Sequence, residues 1–338
     1  MEGTLNVQKT LDSMPPASRT KGKILVGTMA SGADIAIPYV ALKGAKPGPC
    51  LWINGQVHGN EINGIFAALD FFNELDPFKL SGSVVVTATA NPLALDARRK
   101  ATPQDDQDLD QTYPGSPDGF TTEQLAHALF AEVKAAANAV INMHTMSPPF
   151  EAKVYAVYKV HPNGLVNENH LLRLIAPFKP SVSCRMSVVA GKGELPGNIA
   201  GALDYQMDAI GVPAFMIELG AGGRATPEDI RQGIEGFFGV ARELKMLEGS
   251  NGAQKLRRVT KRGHVIFKHG GLFRASRTPG ETVKAGHVIG EVMNVWGEVV
   301  DRVSLPSDII VIGIRRDPVV HSGDRVGFVA YEWDEVTV

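Results

Sequence analysis

The run His58-Gly59-Asn60-Glu61 sets an imidazole and a carboxylate three positions apart, and a second imidazole, His144, follows the apolar run Ala139 to Met143. With His58 in a loop and Glu61 in the first turn of a helix, the two side chains are close enough to share one cation. His144 adds a second nitrogen. Two imidazoles and a carboxylate make up the His2Glu set of catalytic zinc, in which three protein ligands leave a fourth position for a water whose pKa falls to about 7. Glu218, which follows Ile217 and is not needed as a ligand, is then available as general base and proton shuttle. An isolated H-x-x-E spacing often arises by chance. Its weight here comes from convergence with a distant His and a distant Glu at equivalent points of the chain.

Those points are the ends of apolar runs. Strands are expected over Leu51 to Asn54, Ser83 to Ala90, Ala139 to Met143, Val154 to Tyr158 and Ala214 to Ile217, with helices between them, the pattern of a sheet flanked by helices. His58 and Glu61 follow the first strand, Asn91 the second, His144 the third and Glu218 the last. In open α/β sheets ligands bind in the crevice at the carboxyl ends of the strands, so these residues point to one site. After Glu61, the residues Ile62, Ile65, Phe66, Leu69 and Phe72 share one face of a helix. Thr121 to Gln124 and Thr226 to Asp229 have capping-box form, the second with Pro227 at the first helical position, and helices are expected to start at both. Upstream, Ile24 to Ala30 and Ile35 to Lys43 alternate around Ser31-Gly32-Ala33-Asp34 as in a hairpin.

Three segments follow from this pattern. Residues 1–23 read as a polar N-terminal tail, 24–250 as an α/β catalytic domain, and 255–338, beyond a Gly-, Ser- and Asn-rich stretch, as a small all-β domain. Within the last, Gly286-His287-Val288-Ile289-Gly290-Glu291-Val292 recurs as Gly323-Asp324-Arg325-Val326-Gly327-Phe328-Val329, a weak repeat of two equivalent hairpins. A content of 44% hydrophobic residues in 338 supplies enough apolar surface for a globular core and excludes bulk disorder. Lys and Arg number 34 against 36 Asp and Glu, which leaves no electrostatic footprint for nucleic acid or an anionic membrane. The two cysteines, Cys50 and Cys184, are too few for a disulfide framework and lack thiolate-zinc spacing. No run of 18 apolar residues occurs, and the polar first 23 residues lack a signal-peptide core, so a cytoplasmic protein is expected.

Taken in order, several motifs carry a family resemblance. Asn54-Gly55-Gln56-Val57-His58-Gly59-Asn60-Glu61, Asn91-Pro92-Leu93-Ala94, Asp108-Leu109 with Tyr113-Pro114-Gly115, Met143-His144-Thr145 and Ile217-Glu218-Leu219-Gly220 resemble the succinylglutamate desuccinylase/aspartoacylase family of zinc carboxypeptidase-like amidohydrolases. The resemblance spans roughly residues 24–338, because the glycine-rich tail is similar to that family's C-terminal domain. It implies a mixed sheet flanked by helices with a barrel-sandwich-like β appendage. It also implies one zinc per chain on His58, Glu61 and His144, Glu218 activating the water, and an arginine polarising the scissile carbonyl. Members carry that arginine shortly after Asn-Pro, where Arg98-Arg99-Lys100 stands; Arg99 is the first choice, with Arg98 and Lys100 open. Asn91, Arg98, Asp110 and Gln111 are then the candidates for substrate binding.

The chain departs from the family at Asp108-Leu109-Asp110-Gln111, where members read Asp-Leu-Asn-Arg and hold a substrate carboxylate with the last two. A neutral amide cannot replace the charge or the bidentate fork of a guanidinium. A small-molecule amide lacking the usual α-carboxylate is therefore expected as substrate. The alternatives are a metallocarboxypeptidase, with Arg98, Arg99 or Arg185 supplying the carboxylate site, and a non-catalytic binding protein on the same scaffold, which the intact ligands and Glu218 disfavour. Asp106-x-Asp108-x-Asp110 begins like a calcium loop but fails at Gln111, where Gly is required, and at Pro117, where Glu is required. Gly220-x-Gly222-x-x-Ala225 precedes its helix without a second acidic strand end, and Gly191-Lys192-Gly193 lacks the phosphate-loop frame. A lipoyl-type carrier is disfavoured because Lys284, the only lysine from Arg274 onward, lies outside the interval between the repeat turns. Tyr155, Tyr158 and Tyr205 are left open as pocket residues, the remaining histidines default to packing or surface roles, and homo-oligomerisation is left open.

Overall fold

The computed structural model describes residues 6–188 and 197–338; Gly191-Lys192-Gly193 lies outside the described residues. In chain order the elements are α1 (Val7–Ser13), β1 (Ser18–Thr28), β2 (Asp34–Lys43), β3 (Lys46–Asn54), α2 (Asn63–Glu74), β4 (Ser81–Thr87), α3 (Pro92–Ala97), α4 (Thr121–Ala136), β5 (Ala139–Met146), β6 (Phe150–Ala152) and β7 (Tyr155–Val160). They continue with α5 (Glu168–Ile175), β8 (Ser183–Ser187), α6 (Leu203–Ala209), β9 (Ala214–Ala221), α7 (Pro227–Glu243), β10 (Lys255–Ile266), β11 (Gly271–Ala275), β12 (Thr282–Val283), β13 (Val288–Met293), β14 (Val299–Ser304), β15 (Ile309–Arg315), β16 (Val319–Val320) and β17 (Arg325–Thr337).

The described strands form one mixed sheet in the order β1-β2-β4-β3-β5-β9-β7-β8-β10-β17-β15-β12, with β6 on β15, and a separate antiparallel sheet β14-β13-β11-β16. At its centre β4, β3, β5 and β9 run parallel. Side chains alternate between faces along a strand, and here both faces are covered, which is why these strands read as mainly apolar runs. Leu51, Ile53 and Ile141 pack on Phe71 of α2 and Phe237 of α7. On the opposite face Trp52 and Val140 meet Leu125 and Leu129 of α4 and Met207 of α6.

Four sequence expectations are corrected. The polar tail contains α1 and the start of β1; Val7 and Leu11, one helical turn apart, bury in the core, and Asn6 caps the helix by accepting from the backbone of Gln8 and Lys9. Glu61 lies ahead of α2, not within it, because His58 to Glu61 closes as a turn in which Glu61 N donates to His58 O at 3.0 Å. β5 and β9 run past their apolar cores, so His144 and Glu218 lie inside strands, facing each other in register. Helices do start at Thr121 and Pro227, but neither capping box forms from the expected threonine. Asp105 from a loop accepts from Thr122 N at 2.7 Å, and Asn63 Oδ1 accepts from Thr226 N at 3.0 Å. Tertiary partners satisfy these helix ends in place of local ones.

The C-terminal strands are not a detached unit. β10 pairs with β8 in parallel through Arg258 and Ser183, and Val259 and Cys184, and so extends the large sheet. Leu256 of β10 joins the core beneath α2 and α7, while Phe328 of β17 and Ile312 of β15 pack with Tyr155 and Met216.

Candidate active site

The site is assembled by the turn after β3, by β5 and β9, and by the loop that leads into a 3-10 turn at Leu109–Gln111. Gly59 holds the turn down: its amide donates to Arg99 O at 2.8 Å, and a Cβ there would collide with the Ala94 carbonyl of α3. That approach brings His58 and Glu61 over the end of β5. Their side chains and that of His144 are all buried.

Both imidazoles aim Nδ1 at the one carboxylate. His58 Nδ1 is 2.8 Å from Glu61 Oε1 and His144 Nδ1 is 3.1 Å from Glu61 Oε2. One ligand atom from each of the three lies within 4.8 Å of the other two, a set that could hold one metal ion. The donor set fits the group the family uses, since two nitrogens and an oxygen converge and His58 Nε2 is carried by Asp108 Oδ1 at 2.9 Å, the carboxylate–histidine support usual for a metal ligand. Asp108 is itself held by Lys100 Nζ at 3.0 Å.

Charge is concentrated here. Burial disfavours the ionised forms, but Glu61 and Asp108 outweigh it and raise His58 to about 9, while the facing imidazoles bring Glu61 down to about 2. Glu218 moves the other way. Burial, with the negative charge of Glu61 next in size, pushes it up to about 7. Its Oε2 is buried with no hydrogen-bond partner among the described residues, and it lines the same cavity of about 220 Å3 as His58, Glu61 and His144.

The structure distributes the other sequence candidates differently. Asp110 and Gln111 line this cavity. Asp110 Oδ1 accepts from Asn142 Nδ2 at 3.0 Å; the Gln111 amide donates to Asp108 Oδ2 at 3.1 Å and accepts from Asn198 N at 3.0 Å. Asn91, Arg98 and Arg99 are placed elsewhere. Asn91 is fully buried as the cap of α3, accepting from Ala94 N and donating to Thr102. Arg98 ends that helix in the left-handed region, and Arg99 pairs with Asp106 at 2.8 Å, more than half exposed. Among the described residues, the lysines and arginine that line the cavity are Lys100, Lys159 and Arg262. Lys159 sits on both oxygens of Asp204 at 2.7 Å, and Arg262, from β10, lies 5.1 Å over the ring of Phe328. A lone lysine in the apolar run Tyr155 to Val160 was a readable signal for Lys159. Nothing local marks Arg262, which reaches the site only because β10 joins the sheet beside β8. Tyr155, one of three tyrosines left open, is a lining residue and faces Glu218 across β7 and β9.

The family model for the succinylglutamate desuccinylase/aspartoacylase catalytic domain matches residues 47–244, which takes in His58, Glu61, His144 and Glu218. The chain belongs to the succinylglutamate desuccinylase/aspartoacylase family. It is 24% identical over 304 residues to the N-alpha-acetyl-L-2,4-diaminobutyric acid deacetylase of Halomonas elongata, covering 88% of this chain and 86% of that one. Among solved structures, the product-bound ectoine utilization protein EutE (DoeB) of Ruegeria pomeroyi superposes with a TM-score of 0.80 at 20% identity, covering 95% of this chain and 98% of that chain. A succinylglutamate desuccinylase/aspartoacylase of Rhodobacter sphaeroides gives 0.77 at 22% identity, covering 96% and 98%. At these identities the structures establish the shared fold, a mixed α/β sheet with a β C-terminal part. Membership in the desuccinylase/aspartoacylase family makes the chain a hydrolase of small-molecule amides, with a His-Glu-His group that could hold a metal.

Proposed function

We propose that this family member is a zinc-dependent deacylase with one zinc per chain on His58, Glu61 and His144 and with Glu218 as general base. The observation that carries the reading is the convergence of two imidazole Nδ1 atoms on the Glu61 carboxylate, with Glu218, whose Oε2 has no hydrogen-bond partner among the described residues, in the same cavity. Bound zinc supplies Lewis acidity for the amide carbonyl and lowers the pKa of water at the open position. The chain does the rest. Asp108 keeps the proton of His58 on Nε2 and so leaves Nδ1 for the metal. Glu218, with its raised affinity for protons, takes one from the attacking water and returns it to the departing nitrogen. Of the Arg98-Arg99-Lys100 run, Lys100 is the one that lines the cavity, 3.0 Å from Asp108, and in this reading it takes the carbonyl-polarising role expected of Arg99.

The substrate group facing positions 110 and 111 is neutral or cationic in this reading. Asp110 presents a carboxylate to the cavity and Gln111 is tied to Asp108 and Asn198, so neither attracts an anion. The name of the Halomonas relative describes an acylated diamino acid, whose free amine agrees with such a preference at positions 110 and 111 and whose free carboxylate would need a cation elsewhere in the cavity. A cytoplasmic setting belongs to the same reading and is supported by the cysteines, Cys50 and Cys184, being only two and both buried; no helix among the described residues is long and apolar enough to cross a membrane.

The test is metal content with amide turnover. Purified protein is expected to carry about one zinc per chain, as a single His2Glu set requires, and to release acid from N-acyl amines. His58→Ala and His144→Ala should each lose the metal. Unchanged zinc content in both variants overturns the site.

A further inference from the structure

A chain of hydrogen bonds runs beneath the site through side chains buried in the central sheet. Trp52 Nε1 donates to Thr87 Oγ1 at 3.1 Å, Thr87 Oγ1 lies 3.0 Å from Asn54 Oδ1, and Asn54 Nδ2 donates to Asn142 Oδ1 at 2.8 Å. Asn142 Nδ2 then reaches two atoms, Asp110 Oδ1 at 3.0 Å and His144 Nε2 at 3.0 Å. All of these side chains except that of Asp110 are buried.

The sense of the chain is set at its far end. An indole N–H can only donate, so Thr87 accepts there and must send its own proton onward. Its two acceptors are Asn54 Oδ1 at 3.0 Å and Ile53 O at 3.5 Å, and the nearer is the amide. Asn54 is thereby turned with its nitrogen toward Asn142, and Asn142 with its nitrogen toward the site. The amide that touches His144 is a donor.

This conflicts with metal binding unless a further group intervenes. An imidazole that gives Nδ1 to a metal carries its proton on Nε2, and at His144 that proton meets the N–H of Asn142. Among the described residues the anion beside both is Asp110, whose Oδ1 accepts from Asn142 Nδ2 at 3.0 Å and lies 3.7 Å from His144 Nε2, an ion-pair separation longer than a hydrogen bond. We infer that Asp110 is a positioning residue for the metal centre: while accepting from Asn142, its negative charge beside His144 Nε2 favours the tautomer with the proton on that nitrogen and so keeps His144 Nδ1 open. Without it, the donor from Asn142 favours the opposite tautomer, with the proton on Nδ1. Asp108 does the corresponding work for His58. The family's asparagine offers one neutral carbonyl oxygen at this position; an anion attracts neighbouring donors more strongly.

The inference rests on the metal reading, and the experiment separates the two. Zinc affinity is measured by competition with a chromogenic chelator, beside imidazole 15N shifts of the zinc-loaded protein. Asp110→Ala is expected to weaken zinc by about 10–100-fold, the usual cost of losing a residue that orients a metal ligand, and to move the His144 nitrogen shifts but not those of His58. Asp110→Asn should fall between, and Asp106→Asn, an exposed change outside the cavity, should leave affinity unaltered. Affinity in Asp110→Ala within about twofold of wild type, or unchanged His144 shifts, overturns the inference. If Asp110→Ala does not fold, Asp110→Asn decides in the same way: unchanged affinity overturns it and a loss supports it. A wild type that binds no zinc overturns the metal reading, and this inference with it.

Discussion

Gln111 has both ends of its amide engaged, by Asp108 and by Asn198, whereas an arginine there would add a positive charge to the cavity lining. Restoring the family's pair by Asp110→Asn with Gln111→Arg, assayed at saturating zinc, should therefore move preference toward substrates with a free carboxylate. The change expected is about 1.5–3 kcal/mol, one charge-assisted hydrogen bond, read as the ratio of kcat/KM for an acid and its carboxamide. No shift in that ratio means that another cation, such as Arg262, already holds the carboxylate. Glu218→Gln removes the proton acceptor while leaving the ligands in place, so turnover should drop by about 10²–10⁴-fold with zinc retained; near wild-type turnover would remove Glu218 from the mechanism. The acid limb of wild-type kcat/KM should fall between the ordinary carboxyl value of 4.5 and about 7, because burial raises Glu218 and a bound cation pulls it back.

At the scale of elements, α6 carries a titratable group that no cation neutralises directly. Asp208 accepts from Ala214 N at 3.0 Å, but its Oδ2 is buried without a partner among the described residues, and burial, with the neighbouring charge of Asp204, pushes it from 3.8 up to about 9. The folded chain keeps this proton at neutral pH and the unfolded chain sheds it. Its contribution is thus full below about pH 4 and is lost as pH rises toward 9. Asp208→Asn retains the acceptor for Ala214 and removes the ionisation. The melting temperature of the variant minus that of wild type should increase from about pH 5 to about pH 8; a difference independent of pH would show that Asp208 is ionised in the fold.

At the scale of the molecule, β10 and β17 are structural parts of the catalytic sheet as well as walls of the cavity. Removing residues 255–338 would strip the edge of β8 and uncover Val182, Cys184 and Met216, which share a core with Val259, Ile310 and Phe328. A bare strand edge beside exposed apolar side chains is a template for aggregation. The fragment 1–250 is therefore expected to be insoluble or aggregated by light scattering. A monomeric, zinc-binding fragment would show that the C-terminal strands are a separable domain after all.

What the sequence determined by itself is what depends on local pattern and residue chemistry. The central strands were legible because parallel strands covered on both faces are largely apolar, and the proposed ligands and base, His58, Glu61, His144 and Glu218, stood out because a metal site admits few residue types and these follow the apolar cores of such strands. Tertiary structure decided whatever depends on approach between distant segments. It placed Asn91 under α3 as a cap, carried Arg99 to Asp106 and away from the cavity, and brought Lys159 and Arg262 in from β7 and β10. It also bent Asp108 and Asp110 around to stand beside the two imidazoles. Spacing along the chain constrains neighbours within a turn or a strand. The partner of a buried polar atom is chosen by packing across the sheet, which no local pattern encodes.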